Sequence, residues 1–129
     1  MLKDCRVHVT LPVSDLTRAR EFYENILAIP PKTELPSGVF YDCGERTRFV
    51  LSKSAGRSAG AHTQMAFVTD DILSEVKSLK ARGVDFVDYD TPAIKTVDSI
   101  ADVGPLKAAW FEDTEGNLIA IMEPVEPLH

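Results

Sequence analysis

Cysteine and long apolar runs are both scarce in this chain of 129 residues. Its two cysteines, Cys5 and Cys43, are too few for a disulfide framework, so we expect free, buried thiols unless the fold brings them together. No apolar run approaches the ~18 residues that a membrane-spanning helix needs. The first residues, MLKDCRVHVT, lack the apolar core of a signal peptide. The sequence therefore predicts a cytoplasmic protein with no membrane partner.

Clustered positive charge is also missing from the sequence, whose formal net charge is −6. Phosphate groups are bound by grouped lysine and arginine side chains, so we expect no nucleic-acid partner. Hydrophobic residues make up 44% and charged residues 26% of the chain, which is ordinary for a globular domain. A chain of this length buries roughly two-thirds of its unfolded surface. We therefore expect one domain.

The first half of the chain has the pattern of a strand, a helix and further strands. The strand covers about residues 6–13, and the side chain of Ser14 or Asp15 can cap the helix that follows. Two more strands are predicted at Gly38–Cys43 and Thr47–Ser52. The helix is predicted from apolar residues at helical spacing, namely Leu16, Ala19, Tyr23, Ile26 and Leu27.

The second half repeats this order. A strand begins near Thr63, a pair of aspartates starts a helix, and Gly83 suits the end of that helix. HVTLPVSDL, from His8, is matched by QMAFVTDDI, from Gln64, and such a repeat constrains the fold. The remaining segments are predicted as a strand, an irregular stretch and a final hairpin: Val84–Tyr89, Thr91–Pro105, and Ala108–Glu112 with Leu118–Glu123.

Three segments carry a resemblance to the vicinal oxygen chelate superfamily, which includes glyoxalase I, extradiol dioxygenases, fosfomycin-resistance enzymes and bleomycin-binding proteins. They are HVTLPVSDLTRAREFYENIL, MAFVTDDILSEVKSLKARGV and AAWFEDTEGNLIAIMEP. The resemblance implies an α+β fold in which two tandem βαβββ modules form a curved mixed sheet around a cavity. Module 1 covers about residues 4–54, a linker about 55–61, and module 2 about 62–125. The resemblance also implies a homodimer, and leaves open whether the modules pair within one chain or between chains.

Metal-bearing members of this superfamily use four strand positions for metal ligands. Here His8 matches the first position, and Gln64 stands at the third, where histidine is usual. The second position falls at Leu51, within one residue, and the fourth at Ala120. A divalent cation needs several donor groups, usually including anionic ones. We therefore expect no metal cofactor, the alternative being a rearranged site in which His62 joins His8 and Gln64.

Strand alternation predicts which residues face the cavity implied by the resemblance. The set is mostly apolar, which is typical of a small-molecule site, although the same residues could simply fill the interior between two sheets. Lys53 and Lys107 could hold an acidic ligand at the cavity mouth. The predicted ligand-binding residues are His8, Thr10, Phe40, Phe49, Leu51, Gln64, Ala66, Trp110, Leu118, Ala120 and Met122.

Two functions fit these predictions. The first is a binding protein that sequesters a hydrophobic or aromatic compound, as bleomycin-binding members of the superfamily do. The second is a lyase, isomerase or dioxygenase, using a rearranged metal site or His8 as a general base, because imidazoles titrate near neutral pH. His8 could also pair with Gln64 or Thr10 as a structural residue, or have no present task. Whether Thr91–Pro105 closes over the site stays open.

Overall fold

The computed structural model describes residues 1–55, 58 and 62–124. The chain divides into two compact units, Met1–Ser58 and Ala59–His129. Within the described residues, the strands form two mixed sheets, one of four strands and one of five, with few helices. This confirms the predicted α+β class and the tandem βαβββ modules.

The first unit contains four strands, one continuous helical segment and two short 3-10 helices, Leu2–Asp4 and Gly44–Arg46. The sheet order is β1-β4-β3-β2, with β1 parallel to β4 and the other neighbours antiparallel. The helical segment consists of an α-helix followed directly by a π-helical stretch. The elements are β1 (Val9–Val13), α1 (Leu16–Glu21), the π-helical stretch (Phe22–Ile26), β2 (Thr33–Leu35), β3 (Gly38–Asp42) and β4 (Arg48–Lys53).

One face of the first sheet packs against its helix. Helix α1 begins where the Asp15 side chain accepts a hydrogen bond of 3.0 Å from the backbone N–H of Arg18, which satisfies a donor that the helix itself cannot pair. The fully buried Tyr23 then lies 5.5 Å from the ring of Phe49 on β4. Burial of each such large side chain contributes roughly 1.5–3 kcal/mol, so this face is the core of the unit.

The second unit repeats this topology with one additional strand. Its sheet order is β5-β9-β8-β6, and β7 pairs with β8. As in the first unit, the strands that come first and last along the chain, here β5 and β9, are neighbours and run parallel. The order of strands along each sheet is therefore the same in the two units, as expected for a repeated module. The elements are β5 (Thr63–Val68), α2 (Ile72–Ala81), β6 (Phe86–Val87), β7 (Ala101–Val103), β8 (Leu106–Glu112) and β9 (Leu118–Pro124).

Helix α2 is held at its N-terminus by two carboxylates. Asp71 accepts from the N–H of Ser74 at 3.1 Å, and Glu123 on β9 accepts from the N–H of Ile72 at 2.9 Å. Gly83, two residues beyond the helix, has a φ of +95°, which glycine adopts without steric conflict. The predicted caps and end of this helix thus lie where the local chemistry requires them.

Several predicted boundaries were wrong. His8 precedes β1 instead of lying within it, because β1 starts at Val9. Two short strands, β2 and β7, were not predicted, and β7 lies within the segment predicted to be irregular. Each of these strands has three residues and pairs along one side only. A segment this short shows too little alternation of apolar and polar residues to predict a strand. Most of the predicted linker and the tail, with His129, lie outside the described residues.

The cysteines are free, but the prediction that both are buried was wrong. Cys5 is exposed, and Cys43 is partly buried. In the described part of the chain, no helix has both the length and the apolar character that a membrane crossing requires.

Candidate functional site

A cavity of about 670 Å³ opens at one end of the first sheet, next to His8. Strands β1 and β4 begin at this end, and β3 terminates there. The segment before β1 and the turn between β3 and β4 therefore lie side by side. The lining residues are Arg6, Val7, His8, Asp42, Cys43, Arg46 and Arg48.

The charged part of this wall is organised by a cross-strand pair. Asp42 and Arg48 are opposite each other in the β3–β4 ladder, and the Arg48 Nε donates to Asp42 Oδ1 at 2.7 Å. This hydrogen bond lowers the pKa of Asp42, and the nearby charges of Lys32 and Arg6 lower it further. Asp42 is therefore ionised at neutral pH, and the Arg48 guanidinium is held in place.

His8 is exposed in the wall of the cavity and contacts Phe40. The two rings meet edge to face, with centroids 5.9 Å apart. Phe40 also lies 5.8 Å beneath the guanidinium carbon of Arg48. Thr10 and Phe40 both pair with Val50 in the sheet, so these side chains share the face next to His8.

Phe49 and Leu51 do not share that face, and the predicted grouping of them with His8 was wrong. Phe49 pairs with Val9 and Leu51 pairs with Leu11, and Phe49 and Leu51 are only 2% and 0% exposed in the helix-covered core. Because side chains alternate along a strand, a register error of one residue moves the whole set to the other face. Val50 is the β4 residue on the Thr10 side.

In the second unit, three predicted residues lie within a core cluster. Trp110, Leu118 and Ala120 are 9%, 5% and 2% exposed, and Tyr89 and Ile94 pack against their cluster. The Trp110 ring meets Tyr89 edge to face at 5.2 Å, and its indole N–H donates to the hydroxyl of Thr63 at 3.2 Å. The part of the predicted irregular segment around Ile94 thus covers these residues inside their own unit.

The other predicted residues of the second unit are more accessible. Ala66 is exposed and Met122 is partly buried, and their rows in the β5–β9 ladder are separated by the row of Phe67 and Ile121. Gln64 is partly buried at an irregularity between Thr63 and Met65, where the pairing register shifts. The shift breaks simple alternation, so a shared face for Gln64 and the exposed His62 no longer follows. Both predicted lysines, Lys53 and Lys107, are exposed.

The residues around His8 do not fit a divalent cation. Among residues 1–55, 58 and 62–124, no three side chains of histidine, cysteine, aspartate or glutamate form a group that could hold a metal ion. The candidate second position lies at Leu51 or one residue to either side, and none of Val50, Leu51 and Ser52 carries a carboxylate or an imidazole. Three arginines share the cavity wall with His8, and their charge opposes the entry of a cation.

Sequence reasoning missed the arginines of this wall. Alternation around His8 could have drawn attention to Arg6, and the GERTR turn contains both other arginines. Along the sequence, Arg6 is separated from Arg46 and Arg48 by a long stretch of chain. The net charge of the protein is negative, so composition gave no sign of a positively charged site. Only the parallel pairing of β1 with β4 brings them together.

Comparisons with known proteins agree with this fold. The family model of the Glyoxalase/Bleomycin resistance protein/Dioxygenase superfamily matches residues 6–121. The chain therefore belongs to this superfamily. A comparison with curated proteins gave no match.

Solved structures show the same fold at low sequence identity. UcmS2 aligns with a TM-score of 0.73 and 18% identity over 92% of this chain and 97% of its own. A glyoxalase/bleomycin resistance protein/dioxygenase from Alicyclobacillus acidocaldarius aligns with a TM-score of 0.70 and 17% identity, over 95% of this chain and 93% of its own. Lactoylglutathione lyase from Agrobacterium tumefaciens aligns at 0.60 and 19% identity, over 93% of each chain.

Proposed function

We propose that this chain is a small-molecule-binding protein that sequesters a planar organic compound in the cavity next to His8. The observation that carries this proposal is the exposed imidazole in the wall of a cavity of about 670 Å³. This volume lies within the roughly 300–1,000 Å³ range of ligand pockets. An imidazole with an aromatic neighbour, Phe40, offers both a hydrogen-bonding group and a flat apolar surface to such a compound.

The proposal does not involve a metal ion, because the donor groups near His8 are too few. It also revises the apolar pocket expected from sequence, since arginine, aspartate and histidine side chains make up most of this wall. A ligand that combines a flat ring with polar substituents suits this wall better than a purely hydrophobic one.

The test is a thermal-shift screen of the purified chain with a panel of planar compounds, including aromatic metabolites and antibiotics. We expect at least one compound to raise Tm, because a ligand that binds only the native state stabilises it. The His8→Ala variant should lose most of this shift, whereas His62→Ala, which changes an exposed histidine outside the cavity lining, should keep it. A panel without any stabilising compound would count against the proposal, as would equal losses in the two variants.

A metal-free enzyme is the second candidate function, and the same wall favours it. His8 could remove a proton from carbon next to a carbonyl group, while the guanidinium groups of Arg6 and Arg48 stabilise the negative charge that develops on oxygen. Proton NMR would follow the conversion of candidate carbonyl compounds. Turnover by the native chain and its loss in His8→Gln, with binding retained, would favour the enzyme over the binding protein.

We also propose that the protein is cytoplasmic, as its sequence predicts, and that it is a homodimer, as its superfamily resemblance implies. Size-exclusion chromatography with light scattering would give twice the chain mass for a dimer. The chain mass itself would contradict this assembly.

A further inference from the structure

We propose that the cavity next to His8 recognises the acidic group of its ligand, and that this ligand is a planar aromatic carboxylate. The inference rests on the proposed small-molecule function and specifies the chemistry of the ligand. Three guanidinium groups line the cavity, those of Arg6, Arg46 and Arg48, and they share it with one carboxylate, that of Asp42. The protein as a whole is acidic, with a formal net charge of −6, so this local excess of positive charge is a specific feature of the wall.

The excess charge is available to a ligand. Asp42 already forms its ion pair with Arg48 at 2.7 Å. Arg6 and Arg46 line the same cavity, and neither forms an ion pair with any residue in the described ranges. An incoming carboxylate would therefore meet two guanidinium groups without an ion-pair partner among the described residues, even though the charge of Arg6 also acts on Asp42. Arginine suits this role because its planar fork can bind both oxygens of a carboxylate.

The backbone at Arg46 is a second, independent observation. Glu45 and Arg46 have φ values of 54° and 64°, both in the left-handed region. The turn is closed by a hydrogen bond of 3.1 Å from the N–H of Thr47 to the carbonyl of Gly44. Two left-handed residues at the centre of a hairpin turn normally favour Asn-Gly. An arginine in a position where glycine would be less strained points to a use for its side chain.

The aromatic part of the ligand follows from Phe40. Its ring contacts His8 edge to face and lies beneath Arg48, so two lining residues are supported by one aromatic side chain. Flat guanidinium and imidazole groups held in this way can stack against a flat ligand. A ring carrying a carboxylate would use both features of the wall together.

The test compares 2-naphthoate with its uncharged counterpart 2-naphthamide, using calorimetry and the intrinsic fluorescence of naphthalene. We expect the carboxylate to bind at least about tenfold more tightly than the amide at low salt. This advantage should shrink as salt is added, because screening weakens the interaction of exposed charges.

Arg46→Gly tests the assigned residue without a folding defect. Because this change removes a side chain from a left-handed position, Tm should not fall. The affinity for 2-naphthoate should nevertheless drop about tenfold, while the affinity for 2-naphthamide stays within about twofold.

Two control variants accompany this test. Glu45→Gly relieves the backbone strain of the same turn and is a matched control, because Glu45 does not line the cavity. Arg82→Gln removes one exposed positive charge at the end of α2 and should change neither affinity by more than about twofold.

Three results would overturn the inference. They are equal binding of the acid and the amide, unchanged naphthoate affinity in Arg46→Gly, and failure of both probes to bind the native chain. The first two leave the small-molecule function standing, because the probes still bind. The proposed function itself fails if no compound of the wider panel stabilises the protein, or if His8→Ala and His62→Ala lose the stabilisation equally.

Discussion

The hydroxyl of Tyr41 on β3 donates a hydrogen bond of 2.7 Å to Glu24, in the π-helical stretch that follows α1. Glu24 also accepts from Arg20 at 2.7 Å, and Arg20 forms a further ion pair with Glu34 on β2 at 2.6 Å. Burial raises the pKa of Tyr41 well above its ordinary value, and the hydrogen bond to Glu24 adds to this, so the phenol remains a donor. These contacts join the helix to the edge of the first sheet.

We expect Tyr41→Phe to reduce the free energy of unfolding by about 1–2 kcal/mol, because a hydrogen bond to a charged group is lost in a buried setting. Urea denaturation monitored by circular dichroism would measure the change. Tyr89→Phe is the matched control, since no hydrogen bond of the Tyr89 hydroxyl is present in the described structure. Equal effects of the two substitutions would show that the Glu24 contact does not contribute.

Stability should depend on pH through Glu24. Burial alone would raise its pKa, but the hydrogen bonds from Arg20 and Tyr41 outweigh this and lower the pKa. A carboxyl with a lowered folded-state pKa stabilises the native state above its ordinary pKa of about 4.3, and this contribution is lost as pH falls through the folded value. Glu24→Gln should therefore differ most from the native chain above about pH 5 and converge with it in acid. Urea titrations at several pH values would measure this difference, and a difference that grows in acid would contradict the sign.

Glu45→Gly should stabilise the protein by about 1 kcal/mol, because a non-glycine residue in the left-handed region is strained. The corresponding rise in Tm is a few degrees, measured by calorimetry. Thr47→Gly tests the same turn at a φ of −77°, and it also removes the hydrogen bond of 2.6 Å from the Thr47 hydroxyl to Gly44. This control should be destabilised. A loss of stability in both variants would argue against strain at Glu45.

The two thiols should react at different rates. Burial raises the pKa of Cys43, and the negative charge of Asp42 adds to this, whereas Cys5 is exposed. Because the thiolate is the reactive form, alkylation of the native chain near neutral pH should modify Cys5 first. Peptide mass spectrometry over a time course would identify the site. Faster modification of Cys43 would contradict this order.

Much of the architecture could be predicted from residues that act locally. Asp15 and Asp71 cap their helices as expected, since a carboxylate next to free backbone N–H groups is favourable in almost any context. The repeat of the two modules and the apolar spacing of the helices also depend on neighbouring residues. The class of fold could be predicted without a structure because three segments of the sequence resemble a known superfamily.

The sequence by itself thus determined the repeated order of strand, helix and further strands and the helix caps, and it predicted the first strand but not that this strand starts one residue after His8. Only the tertiary structure decided which face of β4 meets His8 and which charges surround it. Alternation along a strand does not state its register, so Phe49 and Leu51 were predicted on the wrong face. Arg6 comes together with Arg46 and Arg48 because β1 and β4 pair in parallel, and such a long-range pairing has no signature in local sequence.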